Sequence, residues 1–189
     1  MLKQGIQANP NADVLGLDLA NLEASSGKLD DALGVLKEVL KKNPKEVGAL
    51  EGKFKIFVYR KDWAGAAGVA EQIKTLFPDS VKGYHFVGLV QQVNGDLHVS
   101  VGEFQSALDH APDAIEALSQ LIKSHLALKQ RDQAVAKLKE VIKNQPKHFV
   151  AYNLLGEIYL AEKKFEDAIT QFKSAIELNP KQKISSDPN

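Results

Sequence analysis

The sequence contains no cysteine, and this absence excludes several kinds of site. Its 189 residues include no Cys, one Met and one Trp. Without thiols, the chain has no disulfide framework, no Cys-ligated zinc or iron–sulfur centre and no thiol nucleophile. It also lacks any hydrophobic run of the roughly 18 residues that a membrane-spanning helix needs. We therefore expect no membrane span in this chain.

The sequence also has no excess of charge of either sign. It contains 24 Lys and Arg residues against 24 Asp and Glu residues, so its formal net charge is zero. Because nucleic acids and acidic membranes attract proteins through a positive field, this balance gives the whole chain no such attraction. We expect no nucleic-acid partner. The composition, 44% hydrophobic and 25% charged, is that of an ordinary globular protein.

The prolines reveal an internal repeat. Proline breaks a helix interior but is tolerated in a connection between helices, so a regular recurrence marks the same corner each time. Six of the seven prolines are separated by intervals of 34 residues, at positions 10, 44, 78, 112, 146 and 180. The spacing predicts one helical unit per interval.

Each interval contains two apolar segments of about 13 residues with helical periodicity. Apolar residues three and four apart form one buried stripe per helix, so each interval predicts an antiparallel helix pair. One pair cannot bury its stripe alone, and stacked pairs form an all-α solenoid. The two segments are divided by short polar turns at 26–28, 60–62, 94–96, 129–130 and 162–164.

The last unit carries a recognisable signature on these helices. It consists of Tyr152, Leu155, Gly156, Tyr159, Ala168, Phe172 and Pro180. This pattern resembles the tetratricopeptide repeat signature, with Tyr in place of Trp, and 34 residues is also that family's period. The third unit is similar, although Ser100 replaces the small alanine. The resemblance implies a right-handed α-solenoid of stacked antiparallel helix pairs.

The repeat register divides the chain into predicted segments. Residues 1–12 form the end of a truncated preceding repeat, and residues 183–189 a disordered tail. Because the chain starts mid-repeat, we expect either a piece of a longer array or self-association through uncapped terminal repeats. At the end, Phe172, Ala175 and Ile176 are predicted to form an open apolar face. The five predicted repeats between 13 and 182 cover 13–46, 47–80, 81–114, 115–148 and 149–182.

No pattern in the sequence predicts catalysis, a cofactor or a metal site. The chain has no phosphate-binding G-x-x-x-x-G-K-[ST] loop, no dinucleotide-binding G-x-G-x-x-G and no G-x-S-x-G nucleophile motif. No two histidines lie three or four residues apart, as a helical metal pair requires. We therefore expect a protein that is not an enzyme. The five histidines are His85, His98, His110, His125 and His148.

The family resemblance implies a binding surface. In tetratricopeptide proteins the first helices of the pairs line a concave groove that binds an extended peptide or a helix. The implied partner is therefore a protein or peptide of unknown identity. Carried over position by position, the candidate groove residues of this chain are Asn21, Glu51, Lys55, Tyr59, His85, Gln92, Lys123, Asn153 and Glu157.

Chaperone-binding members of the family hold a carboxylate with a clamp of lysines, asparagines and an arginine. Two of the five matching positions here carry the required residue, and the clamp's first lysine and its arginine are missing. A co-chaperone role is consequently disfavoured. The five positions read Leu17, Asn21, Gly52, Lys82 and Phe86.

Charge is unevenly distributed between neighbouring repeats. The third repeat has one basic and four acidic residues, or −3, and the fourth has seven basic and three acidic residues, or +4. A solvated helix face explains this cluster, and so does a basic patch that binds an acidic partner such as a polyanionic polymer. The basic residues are Lys123, Lys129, Arg131, Lys137, Lys139, Lys143 and Lys147.

A narrower resemblance concerns residues 134–138 and 148–156. These segments are similar to tetratricopeptide proteins of bacterial exopolysaccharide and exosortase (PEP-CTERM) systems. That resemblance implies a substrate-docking or regulatory domain of a larger bacterial enzyme or export machine, in the periplasm or cell envelope. That role is the alternative to our main interpretation, a non-enzymatic interaction scaffold that is part of a longer array. Without this narrower resemblance the expected compartment is the cytoplasm, and the compartment stays open.

Overall fold

The computed structural model of the protein describes residues 12–179, and this part of the chain is all α-helical. It contains ten helices and no strand, which confirms the predicted all-α class. The predictions for residues 1–11 and for 180–189 lie outside the described residues. The helices are α1 (Ala12–Ser25), α2 (Leu29–Lys42), α3 (Val47–Tyr59), α4 (Trp63–Leu76), α5 (Val81–Asn94), α6 (Leu97–His110), α7 (Ile115–Ala127), α8 (Arg131–Asn144), α9 (Phe149–Ala161) and α10 (Phe165–Leu178).

The helices are distributed over two compact units. The first unit ends at Asn94 and contains α1–α5, and the second begins at Gly95 and contains α6–α10. Within each unit, every helix packs against the next one along the chain. The odd-numbered helices also meet directly, because α1 contacts α3 in the first unit and α7 contacts α9 in the second.

Two apolar clusters form the core of the first unit. One joins α1, α2 and α3, and the other joins α3, α4 and α5. Helix α3 contributes to both, because its apolar residues face the helices before and after it. Burial is thus continuous from pair to pair, as expected when stacked helix pairs share their apolar stripes. The first cluster includes Ala20, Leu36, Val39, Ala49 and Ile56, and the second includes Leu50, Phe54, Ile73, Val87 and Val90.

Small residues allow the helices to approach closely. A Cβ atom built on Gly83 of α5 would lie 2.6 Å from the Cα atom of Lys74 on α4. One built on Gly156 of α9 would lie 2.7 Å from the Phe172 ring of α10. Both separations are shorter than real Cβ contacts, so these positions require glycine at the present helix spacing.

In the first unit, one of these glycine positions is occupied by a phenylalanine that belongs to an aromatic pair. Phe54 occupies the repeat position that Gly156 holds in the last repeat, and its side chain is only 3% exposed. Its ring is stacked on Phe86 of α5, with the centroids 4.0 Å apart and the planes inclined by 5°. A large side chain is therefore accommodated here by a specific partner.

The turns between the paired helices share one backbone conformation. Gly27, Lys61, Gly95, Lys129 and Lys163 all have positive φ angles, between 58° and 88°. They occupy the same position of each repeat and follow the end of an odd-numbered helix. At the second turn, the amide of Asp62 donates to the carbonyl of Phe57 at 2.9 Å, the pattern of a left-handed helix C-cap. Glycine adopts this conformation freely, whereas lysine is strained in it.

The last helix exposes apolar side chains, but not all of the predicted ones. Phe165 is 56% exposed, and Ile169 and Ile176 are exposed as well. The prediction was wrong for Ala175, which is only 7% exposed, and holds only in part for Phe172, which is half-buried beside Gly156. Ala175 lies at the repeat position of the fully buried Ile73, on the stripe that faces the partner helix.

We predict that a methyl group at Gly83 destabilises the first unit. Because the added Cβ meets the backbone of α4, Gly83→Ala should lower the free energy of unfolding by about 1–3 kcal/mol. The matched control is Gly68→Ala, in an exposed part of α4 where nothing lies within 4 Å. That substitution should raise the free energy of unfolding by about 0.5–1 kcal/mol. Urea denaturation followed by circular dichroism measures both, and equal stability of the two variants would contradict the close contact.

We also predict that the Phe54–Phe86 stack is a major source of stability. Phe54→Ala should cost about 3–5 kcal/mol, since it leaves a cavity beside Phe86. Phe165→Ala removes the same atoms from an exposed position and should change stability by less than about 0.5 kcal/mol. Denaturation curves of the two variants test this difference. A loss below about 1 kcal/mol for Phe54→Ala would show that the neighbouring helices close the cavity.

Candidate functional site

Three of the candidate residues follow one face of α3. Glu51, Lys55 and Tyr59 are spaced by four residues, which places them on the same side of a helix. Tyr59 is 78% exposed, the highest value among the large apolar and aromatic side chains of the described residues. Lys55 is exposed too, whereas the carboxylate of Glu51 forms an ion pair with Lys82 of α5.

The neighbouring odd-numbered helices supply the other candidates of the first unit. Asn21 is exposed on α1, which contacts α3 directly. His85 and Gln92 are half-buried on α5, and both residues take part in further interactions within the protein. The His85 ring lies 6.1 Å from the ring of Phe86. His85 and Gln92 are therefore less available to a partner than Asn21, Lys55 and Tyr59.

The second unit carries the remaining three candidates. Lys123 is exposed on α7, and Asn153 and Glu157 lie one turn apart on α9. The amide of Asn153 donates to Glu157 Oε1 at 2.7 Å, so the two side chains partly satisfy each other. Because α7 contacts α9, these candidates lie on adjacent helices.

Apolar residues near the ends of the odd-numbered helices are features that the sequence reasoning missed. Val93 of α5, Leu126 of α7 and Leu160 of α9 are exposed, as Tyr59 is on α3. They occupy the twelfth or thirteenth position of their repeats. Each of them lies three or four residues after a buried residue of its helix, so the apolar spacing did not separate them from the core. Each unit thus contains two exposed apolar side chains at equivalent places, with an exposed lysine about one turn earlier on α3 and on α7.

The positions that would form a carboxylate clamp are mostly engaged in packing. Lys82 is paired with Glu51, and Phe86 is stacked on Phe54. Gly52 packs against Leu36, and a Cβ there would lie 3.0 Å from Leu36 Cδ1. These described positions therefore do not present the clustered free cations that a carboxylate requires.

The basic residues of the fourth repeat are partly neutralised. Arg131 forms ion pairs with Asp132, at 3.2 Å, and with Glu162, which directly follows α9. Lys137 pairs with Glu140 at 3.3 Å. The lysines of this repeat that are exposed are Lys123, Lys129, Lys139, Lys143 and Lys147.

Between residues 12 and 179, no group of three His, Asp or Glu side chains could hold a metal ion. No helix in that range is long and apolar enough to cross a membrane.

A comparison with known protein families identifies the family to which the chain belongs. A family model described as "Tetratricopeptide repeat" matches residues 17–81 and 119–183, well over half of the chain. The chain belongs to the tetratricopeptide repeat family. Proteins of this family generally serve as non-enzymatic scaffolds with protein or peptide partners.

Solved structures of other tetratricopeptide repeat proteins share the fold. A crystal structure of MamA protein has a TM-score of 0.68 and 19% sequence identity, and the match covers 96% of this chain and 99% of MamA. YrrB, described as having an unusual peptide-binding site, has a TM-score of 0.62 and 20% identity over 95% of this chain and 92% of its own. TTC0263, a thermophilic protein of Thermus thermophilus, has a TM-score of 0.62 and 21% identity, with coverages of 89% and 92%.

A comparison with curated protein sequences gave no significant match. At these identities the structural relatives establish the fold of the tetratricopeptide repeat chain and nothing narrower. The resemblance to exopolysaccharide and exosortase systems consequently stays a hypothesis.

Proposed function

We propose that this tetratricopeptide repeat chain is a non-enzymatic scaffold that binds a peptide or a helix on the exposed face of its odd-numbered helices. The observation that carries the proposal is the exposure of Tyr59 on α3, beside an exposed lysine. Tyrosine is enriched at protein interfaces and among the residues that contribute most to binding.

Two pairs of exposed apolar side chains, one in each unit, favour a ligand with hydrophobic side chains. Tyr59 and Val93 are the thirteenth residues of consecutive odd-numbered helices in the first unit, and both are exposed. In the second unit, Leu126 and Leu160 are exposed at equivalent positions of two helices in contact. A helix or extended peptide with apolar residues would bury these side chains, and each buried side chain favours association.

The charges near these apolar side chains indicate the charge of the ligand. Lys55 precedes Tyr59 by one turn, and Lys123 precedes Leu126 by three residues. No hydrogen bond or ion pair is formed by either ammonium group among the described residues, whereas Glu51 is already neutralised by Lys82. Each surface therefore offers an available cation beside an apolar anchor, which complements a peptide that combines apolar and acidic residues.

The same surface fits the alternative roles. A substrate-docking or regulatory domain of a larger bacterial enzyme or export machine would use the same exposed side chains to hold a protein partner. A co-chaperone role is less well supported, because Lys82 and Phe86, at two of the clamp positions, are engaged within the first unit. We therefore favour the scaffold.

Charge reversal together with removal of the anchor tests the proposal. We predict that Lys55→Glu/Tyr59→Ala weakens binding of the natural partner at least about tenfold, because truncating a central anchor typically costs more than about 1 kcal/mol. The purified protein would be used to select ligands from a peptide phage library of the source proteome. Affinities of the selected peptides for both proteins would then be measured by calorimetry.

The matched control is Lys173→Glu/Phe165→Ala, which reverses one exposed charge and truncates one exposed aromatic side chain on the even-numbered helix α10. The control should retain binding, and both variants should keep the circular dichroism spectrum of the original. If all selected peptides bound the Lys55→Glu/Tyr59→Ala variant and the original equally well, the surface on α3 would be refuted. The failure of any peptide to be selected would refute the peptide-binding role itself.

A further inference from the structure

One face of α10 carries a continuous strip of apolar side chains. Phe165, Ile169 and Ile176 are 56%, 46% and 42% exposed, and Phe172 between them is half-buried beside Gly156. These four residues are separated by steps of four, three and four, and residues at such spacings are neighbours on a helix surface. We call the four residues from Phe165 to Ile176 the α10 stripe.

The corresponding positions of the other even-numbered helices are less exposed. At the positions of Phe165, Ile169 and Ile176, the side chains of α2, α4, α6 and α8 are all buried or half-buried. Each of those helices contacts the first helix of the following repeat, and Lys74 of α4 lies directly against Gly83 of α5. Among the described helices, α10 contacts only α9. The α10 stripe is therefore an apolar helix face without a covering helix, and such a face favours association.

Two copies of the α10 stripe complement each other when the helices run antiparallel. Apolar residues at alternating steps of four and three insert between those of a neighbouring helix, as in coiled coils. About a two-fold axis, Phe165 of each copy lies opposite Ile176 of the other, and Ile169 lies opposite Phe172. All four apolar residues of both copies are then covered by one contact.

The charges beside the stripe favour this antiparallel pairing. Glu166 and Lys173 are exposed along the same edge of the stripe, and neither forms an ion pair among the described residues. In the antiparallel pair, Glu166 of each copy comes within reach of Lys173 of the other. A parallel pair would instead place Glu166 level with Glu166 of the other copy and align the two helix dipoles. The helix is thus electrostatically complementary to a second, reversed copy of itself.

We propose that α10 is a self-association interface, through which two copies of the chain form an antiparallel two-fold dimer along the α10 stripe, flanked by two Glu166–Lys173 ion pairs. Because one helix per copy forms a small interface, the dimer is weak, with a dissociation constant above about 10 µM. The interface lies on a different helix from Lys55 and Tyr59. It does not depend on the proposed peptide-binding function.

Sedimentation equilibrium of the full chain tests the dimer. Between about 1 µM and about 1 mM, the mass should rise from 20.7 kDa towards twice that value. Ile169→Glu should raise the dissociation constant at least about tenfold, because it places a carboxylate in the apolar contact. The matched control is Val99→Glu, which adds the same charge at an apolar position of α6 that is 50% exposed. This control should dimerise as the original does, and both variants should keep the original circular dichroism spectrum.

A charge exchange tests the ion pairs. Lys173→Glu should weaken the dimer at least about threefold, because each Glu166 then faces a glutamate. Glu166→Lys/Lys173→Glu should restore the original dissociation constant. Phe165→Ala/Lys173→Glu should weaken the dimer but keep peptide binding, and Lys55→Glu/Tyr59→Ala should do the reverse. The two proposals can therefore fail separately.

Cross-linking tests the direction of the helices, because the chain contains no Cys of its own. In the antiparallel pair, identical ends of the stripe are about 16 Å apart, since eleven residues rise about 1.5 Å each. With a short bis-maleimide, a mixture of Phe165→Cys and Ile176→Cys should give cross-linked dimers, whereas either variant alone should not.

Three results would overturn the proposal. They are a monomeric mass over the whole concentration range, unchanged dimerisation of folded Ile169→Glu, and cross-linking of either cysteine variant alone. A monomeric mass would assign the α10 stripe to another helix, such as that of a following repeat.

Discussion

The close approach of consecutive helices is the constraint on which the rest of the structure depends. Where α5 crosses α4, only the hydrogen of Gly83 separates the α5 backbone from the backbone of Lys74. At this spacing Val87 and Val90 reach the apolar stripe of α4 and complete the core of the first unit. The faces of the odd-numbered helices that lie outside this contact carry side chains exposed to solvent, such as Lys55 and Tyr59. The buried contact therefore determines which residues remain available for a partner.

Much of this architecture could be predicted from the sequence, because its causes are local. Proline cannot continue a helix, so its recurrence located the connections, and no described helix contains Pro44, Pro78, Pro112 or Pro146. The predicted turns agree with the helix ends to within one residue, as at Asn94, which closes α5. Apolar spacing of three and four residues then gave the helix class. Capping and periodicity involve neighbours in the chain, and they are visible without coordinates.

The candidate site was less predictable, because it depends on contacts between helices that are distant in sequence. Glu51 and Lys82 are 31 residues apart, and their ion pair arises only from the packing of α3 against the elements that follow. Tyr59 is an aromatic residue of a type that is often found in protein cores. It is exposed because it lies at the end of α3. Polar contacts of this kind also replace apolar ones in the second unit, where buried Ser100 and Ser124 share a hydrogen bond of 2.8 Å.

The positive φ angles of the turns have a consequence for the dynamics of the molecule. Gly27 adopts its angle without strain, whereas Lys61, Lys129 and Lys163 are held in a region that costs a residue with a side chain about 1 kcal/mol. Each of these three lysines joins the two helices of one pair. The ends of α3, α7 and α9 should consequently fray more often than that of α1, and their amide protons should exchange more rapidly with solvent. Three of the turns within helix pairs are thus strained, whereas the turns at Gly27 and Gly95 are not.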